Sequence, residues 1–431
     1  MIRRVLETAG LVLVLVAMVL AITSLTPAAL PRVTRVTPPQ DNKSVCLPAG
    51  GTGALFAAEA DTVAELGKPP SAALDSVVLG DQTEPVVLTG TGSPIGGYLN
   101  AIGATRSWTP CSPAVASGLL VVPSAADTEL LIVNSDQSEA AVDLTLLGAD
   151  GEIEALGSRG IAVAANSSRV IALSVLTDAP GPVGVGYTAS RGRATIIART
   201  ATTTALDSAV ASKPATEQVI AGIPAGAGNA TILLANPNDE RASVEVAALG
   251  ATATYTPAGG GGISVAPHST VAVALGGSLA GEATALRITS DLEVGTAVVT
   301  GPELLDPAGP VSSEQAFLAP TEGGTRLAAL LPAAGVLQLS SGAGDVTVEV
   351  NHVILGGASQ ASELLVPGGR TVTVPLSAEA PQGQLIEVSA GTELFGAVTF
   401  VDGSGVAVAP LEPSGDVVVE PLAAELDPSL K

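Results

Sequence analysis

The run Leu130-Leu-Ile-Val-Asn134-Ser-Asp-Gln137 returns about one hundred residues later as Ile232-Leu-Leu-Ala-Asn236-Pro-Asn-Asp239. In both copies a valine, Val142 or Val244, follows the asparagine by eight residues, and a glycine, Gly148 or Gly250, follows it by fourteen. A second shared block comes next, Ala162-Val163-Ala-Ala-Asn166-Ser-Ser-Arg-Val170 against Ser264-Val265-Ala-Pro-His268-Ser-Thr-Val271. A third, more worn copy runs through Gly335-Val-Leu-Gln-Leu339, Val346-Thr-Val-Glu-Val350 and Leu365-Val366-Pro-Gly-Gly-Arg-Thr-Val372, without the asparagine. A period near one hundred residues is far too long for a solenoid and matches a whole β-sandwich.

Outward from these blocks, an apolar-Pro-small-small signature precedes each copy, at Val122-Pro123, Ile223-Pro224 and Leu331-Pro332. The same signature at Leu47-Pro48 predicts a fourth unit, degenerate and truncated, over residues 45–117. Within the copies, Val142-Asp-Leu-Thr-Leu146, Val244-Glu-Val246 and Val271-Ala-Val-Ala-Leu275 alternate as half-buried strands do, beside short all-apolar runs. Asn134 and Asn236 open turns, where an Asn side chain can bond its own backbone and Pro237 presets φ. Gly259–Gly262 reads as a hairpin tip. Helix signals are sparse: Ala57–Leu66 and Leu422–Leu426 are the two candidates.

The expected fold is therefore all-β: tandem immunoglobulin- or fibronectin-like β-sandwich repeats behind an N-terminal transmembrane helix or signal anchor. The segments expected are a basic tip and apolar helix (1–30), a stalk (31–44), the disulfide-containing β unit (45–117), three repeats (118–205, 218–302 and 326–411) and an acidic tail (412–431).

The 431 residues carry a net charge of −23, with 47% hydrophobic and 14% charged residues. Five of the 18 bases, but of the 41 acids only Glu7 and Asp41, lie at or before Lys43, so the chain from Cys46 onward carries −26. Such a surface repels nucleic acid and anionic lipid. Ala9–Leu25 is almost wholly apolar and follows Arg3 and Arg4, which predicts an uncleaved membrane anchor with the N-terminus cytoplasmic and the rest outside the cell membrane. Secretion after signal-peptide cleavage is the alternative. Cys46 and Cys111 are the two cysteines, both beyond the apolar segment. A disulfide between them suits an oxidising compartment; two free thiols or half of a metal site are the other readings.

The Asn134 and Asn236 turns, the Val-rich strand and glycine after them, the N-terminal anchor and the early cysteine pair together resemble an actinobacterial family of membrane-anchored envelope proteins classed as a domain of unknown function. The resemblance covers roughly Val45 to Leu411. It implies a β-sandwich fold and an envelope location, and brings no activity with it.

Motifs that carry chemistry are missing from the sequence. His268 and His352 fall at non-equivalent positions of different copies, so both read as structural. Gly90-x-Gly92 with Gly96 misses the dinucleotide spacing and reads as a loop. Asp207 with Glu217, Glu303 with Asp306 and Asp416 with Glu420 are acidic pairs at junctions, without calcium-loop spacing. No catalytic, cofactor or metal residue is assigned, and no cofactor is expected. The expectation is a non-enzymatic scaffold or protein-interaction module of the bacterial cell envelope, its partner another envelope protein or wall glycan. An accessory glycan-binding module is the alternative, for which Trp108, Tyr98, Tyr187 and Tyr255 supply nearly all the rings.

Overall fold

The computed structural model describes residues 42–415 apart from 51, 73–75, 81–82, 103–104, 202–205, 280, 302–304, 307–308, 311–314, 333, 343, 377–382 and 403–404. The apolar N-terminal segment, the stalk up to 41 and the tail from Asp416, with its Leu422–Leu426 helix candidate, lie outside the described residues.

Strands account for 64% of the described residues and helix for 2%, so the described part is nearly all-β with several sheets. The first segment holds β1 (Asn42–Cys46), β2 (Thr52–Ala58), β3 (Thr62–Glu65), β4 (Ser71–Ala72), β5 (Ser76–Leu79), β6 (Val86–Gly90), β7 (Ile95–Ile102), β8 (Thr105–Pro110) and β9 (Ser112–Pro113). The second holds β10 (Ser117–Val122), β11 (Thr128–Asn134), β12 (Ala140–Gly148), β13 (Gly151–Ile153), β14 (Ile161–Val163), β15 (Ser167–Ala172), β16 (Val183–Arg191), β17 (Thr195–Ala201) and β18 (Leu206–Val210). In the third lie β19 (Ala215–Ile223), β20 (Thr231–Asn236), β21 (Ala242–Leu249), β22 (Thr254–Tyr255), β23 (Ile263–Val265), β24 (Ser269–Ala274), β25 (Thr284–Thr300), the small hairpin β26 (Leu305–Asp306) and β27 (Gly309–Pro310), and β28 (Ala316–Leu318). The fourth comprises β29 (Gly324–Leu331), β30 (Val336–Ser340), β31 (Val346–Ile354), β32 (Ser359–Val366), β33 (Thr371–Pro375), β34 (Gln384–Asp402), β35 (Gly405–Pro410) and β36 (Glu412–Pro413).

The sheet order is the same in all four segments. In the first, β4-β3-β6-β1 faces β5-β2-β7-β8; in the second, β13-β12-β16-β10 faces β15-β11-β17-β18. In the third and fourth segments a single long strand, β25 or β34, serves both sheets, its first half pairing in one and its second half in the other. The segment at 42–113 thus fills every position of this shared order, and among the described residues it shows no counterpart of β14 and β23, the short strands that pair with β12 and β21. The order differs from the immunoglobulin one, in which the first two strands are neighbours; here the first strand pairs with the strand that leads into the second sheet.

Ala57–Leu66 is not helical. Ala57 and Ala58 end β2, Glu59 turns with φ +58°, and Thr62–Glu65 pairs with Val86–Thr89. Cross-strand pairing there outweighs the high helix propensity of Ala, Leu and Glu.

The all-apolar runs have a specific cause. In β10, Leu120 and Val122 enter the core of their own sandwich, while Leu119 and Val121 pack on Leu233, Ala235, Ala297 and Val299 of the third. In β11, Leu130 and Ile132 point to that same core, while Leu131 and Val133, with Ile197 of β17, meet Val45 and Leu47 of the first. Ala397, Val406 and Val408 of the fourth sandwich join the core of the third. The series closes because Phe56, Ala58, Ile95 and Trp108 of the first share one core with Leu330, Leu331, Phe400 and Ala409 of the fourth. A strand covered on both faces cannot alternate apolar with polar, which is the pattern of buried sheets.

Polar contacts repeat at the junctions. Thr270 Oγ1 donates to the Leu147 carbonyl of the preceding sandwich at 2.8 Å, and Thr371 Oγ1 donates to the Leu249 carbonyl at 2.6 Å. Leu147 and Leu249 hold the same position, each just ahead of the repeat glycine. First and second sandwiches meet at Thr109 Oγ1 and Ser208 Oγ, 2.7 Å apart.

Candidate functional site

The two turn asparagines are structural nodes. Asn134 is fully buried at the end of β11; its Nδ2 donates to the Ser138, Val163 and Ala164 carbonyls at 2.7–3.1 Å, and its Oδ1 accepts from the Asp136 N–H. Asn236 repeats this at the end of β20, donating to Glu240, Val265 and Ala266 carbonyls at 2.7–3.2 Å and accepting from Asn238 N–H. A side-chain amide offers donors and an acceptor on one plane, which an aspartate or serine cannot match. Each asparagine clamps its turn to the end of β14 or β23, and neither faces solvent. The turn partner behind them takes left-handed backbone in all three copies, at Asn166 (φ +48°), His268 (φ +51°) and Gly369 (φ +68°), which Asn, His and Gly tolerate better than most residues.

Cys46 and Cys111 form a disulfide across 65 residues of sequence, between the end of β1 and the link from β8 to β9. Closing a loop of that length contributes about 4 kcal/mol on the chain-entropy account. It ties the first strand of the first sandwich to its last, and both cysteines are buried.

The other groups with chemical potential are also built into the structure. His268 Nε2 bonds Asp239 Oδ1 at 2.8 Å, and His352 Nε2 bonds Gln384 Oε1 at 2.6 Å in a different sandwich. Trp108, Tyr98 and Tyr187 are buried, the indole lying against Gly97 and tilted toward Phe400 with centroids 6.5 Å apart. Burial raises the Tyr98 phenol and pushes that of Tyr187 up to about 12, and it also raises the half-buried Tyr255. The rings that a sugar-stacking site would use are therefore committed to packing.

Of the junction acids, Asp207 is buried on β18 and Glu217 is exposed on β19; Glu303, Asp416 and Glu420 lie outside the described residues, as does the Asp306 side chain. Among the described residues no group of three or more His, Cys, Asp or Glu side chains could hold a metal ion.

One acid is unusual. Glu412, on β36, reaches across to the first sandwich and accepts from the Gly96 N–H at 3.2 Å. The residue keeps part of its surface in solvent, but its carboxyl is buried. Desolvation pushes it up to about 8; the Gly96 N–H pulls the other way, and the charge of Glu322 adds to the rise.

An exposed face with a groove lies on the outside of the fourth sandwich. There β31, β32 and β34 line a shallow groove of about 540 Å³ with Thr347, Glu349, Ser362, Glu363 and Ser389. Glu349 and Glu363 lie directly opposite each other in the β31–β32 register and both are exposed. Neither forms an ion pair among the described residues. Like charges in that position repel, and among the described residues no ion pair offsets that cost. At the outer edge, β32 is one continuous strand of eight residues, whereas the same edge of the other sandwiches carries only separate strands of two or three residues, β4 in the first, β13 and β14 in the second, β22 and β23 in the third. Sequence reading missed this feature. The alternation of Val346-Thr-Val-Glu-Val350 turns Glu349 outward, but Ser359-Gln-Ala-Ser-Glu363 has no strand pattern to pair it with.

Fold and surface define an all-β protein of stacked two-sheet units, with β32 an exposed edge of eight residues. A family model described as a family of unknown function, DUF5719, matches residues 107–377, more than half of the chain. The chain belongs to the DUF5719 family. The match runs from within β8 to just past β33, so it takes in the second and third sandwiches whole and enters both neighbours. No curated protein and no solved structure matches the chain.

Proposed function

We propose that the chain is a non-enzymatic, membrane-anchored extracytoplasmic protein that serves as a scaffold or protein-interaction module of a bacterial cell envelope. One observation carries the reading. Both histidines, both cysteines, the single tryptophan and all three tyrosines of the chain lie in the described region, and each is engaged in packing, a turn or the disulfide, with none lining the open groove. What the surface offers is backbone edge and carboxylate, which suit recognition of another polypeptide.

Location rests on the N-terminal sequence and on the disulfide. Arg3 and Arg4 ahead of Ala9–Leu25 orient the following chain outward, and a buried disulfide suits an oxidising compartment. Among the described residues no helix is long and apolar enough to cross a membrane; the anchor is assigned to the segment before them. Actinobacterial origin remains part of this proposal and rests on the family resemblance alone. The glycan-binding alternative gains no support from the rings, since Trp108, Tyr98 and Tyr187 are buried and the half-buried Tyr255 packs against the third core.

In-cell crosslinking of the tagged full-length chain, followed by mass spectrometry, tests the reading, with a chain of residues 1–43 as control. Enrichment of a particular envelope protein over the control is the expected result. Capture of wall glycan alone, or a turnover activity in the purified chain, overturns it.

A further inference from the structure

The groove and the free edge of β32 lie on the same sheet, and together they specify a ligand. Among the described residues β32 pairs with β31 along its whole length and with no strand on its other side. Seven of its eight residues have solvent-facing side chains, Leu364 partly, so both faces of the strand protrude from the packed series. An unpaired edge of that length presents a row of backbone N–H and C=O groups, the template for pairing with another chain. Proteins usually guard such edges with lysine, proline or a bulge, or keep them short. Here the strand carries no lysine and no proline, and its register with β31 is unbroken.

Charge decides what pairs there. On the groove face Glu363 is the side chain nearest an added strand, and Glu349 stands behind it without a cation. A basic side chain on the incoming strand would sit opposite Glu363 and relieve its repulsion with Glu349. Leu365, 55% exposed on that same face two residues away, offers an apolar contact to the methylene stem of a second basic side chain at the next alternate position. A second copy of this chain is disfavoured as occupant, because it would bring its own Glu363 to the edge and a surface that is net acidic.

We propose that β32 is a strand-addition site for an extended protein segment with lysine or arginine at alternate positions. This rests on the reading of the chain as an interaction module and names its partner's chemistry. Main-chain pairing supplies affinity in this mode, and the alternate side chains supply specificity.

The probe is a ten-residue peptide alternating Lys and Thr, added to the full-length chain and followed by fluorescence anisotropy and by hydrogen exchange. Binding with slowed exchange confined to 359–366 is expected. Glu363→Lys, an exposed substitution that leaves the core untouched, is expected to weaken binding at least tenfold, and N-methylation of alternate peptide residues is expected to abolish it. A Glu/Thr peptide should bind at least tenfold more weakly than the Lys/Thr one. The proposal is overturned if the Lys/Thr peptide does not bind, if Glu363→Lys binds it equally well, or if protection falls elsewhere. Protection of 359–366 that rises with protein concentration without peptide makes a second copy the occupant and overturns it as well. If crosslinking still captures an envelope protein after such a result, the interaction reading stands and only this site falls.

Discussion

Replacing Asn236 by alanine removes a side chain with no solvent exposure and strips the turn after β20 of its bonds to the Glu240, Val265 and Ala266 carbonyls. The Asn238 N–H, held at 3.0 Å by Oδ1, loses its acceptor as well. Each buried polar group left unpaired costs about 1–3 kcal/mol. With the Glu240 carbonyl near the surface and able to take water, the two deeper carbonyls dominate, and the expected loss is about 3–4 kcal/mol. Asn134→Ala should lose a similar amount, because its four bonds to the backbone match those of Asn236 to within 0.1 Å and it lacks only the Asn238 Nδ2 donor that Asn236 also has. Urea unfolding read at the fluorescence of Trp108 is the assay. The indole sits in the core shared by the first and fourth sandwiches, far along the chain from either asparagine. If the packed series unfolds as a unit, a lesion in the third sandwich moves the midpoint seen by the first. A shift no larger than that of a surface substitution, about 0.5 kcal/mol, would refute the assignment of these asparagines as nodes. Loss of ellipticity without movement of the Trp108 transition would refute the shared cooperativity.

Glu412 gives a pH signature. Its carboxyl titrates near 8 when folded and near its ordinary 4.5 when unfolded, so between those values the folded state holds more of the proton. Stability therefore falls as pH rises through that window, by a few kcal/mol in all, and urea midpoints of Glu412→Gln measured from pH 5 to 9 should lack this slope. Replacing Cys46 and Cys111 together by alanine should cost about 4 kcal/mol, seen in the same urea assay and reproduced by reduction of the wild-type chain. Gly222 has φ +95°, and a Cβ there would overlap Val408 Cγ1 of the fourth sandwich; Gly222→Ala should cost about 2 kcal/mol or more, whereas Gly277→Ala, with open space around it, should stay near neutral.

The β character was legible wherever apolar runs met turn residues. Leu130–Asn134 and Ile232–Asn236 read as strand and turn because the local pattern and the backbone chemistry agree there. That these runs are apolar on both faces carried the further message that each strand meets two cores, yet a run alone does not say which neighbour supplies the second. Closure of the first sandwich on the fourth was invisible for that reason: Phe56 and Phe400 are 344 residues apart and share no motif. The closing strands Leu206–Val210 and Ala316–Leu318 were also hidden, since they carry no repeat signature. Ala57–Leu66 misled because alanine and leucine say little about a strand held by its partners.

The surface was less legible than the core. Asn134, Asn236 and the cysteine pair stand out in sequence because buried polar nodes need particular residue types. The β32 edge rests on the absence of a partner, which leaves no mark in Ser359–Val366. Glu412 reads as the start of an acidic tail, while its position on β36 beside Leu327–Ala328 depends on the whole series having closed.

The central structural claim is that the four sandwiches pack as one series, first against last, and Trp108 reports it directly. Phe400→Ala in the full-length chain should shift the Trp108 emission to longer wavelength, raise its quenching by acrylamide and cost about 3–5 kcal/mol, the usual range for a buried phenylalanine. Emission and quenching identical to the wild type would mean that the indole does not lie against the fourth sandwich, and the closed series would be wrong.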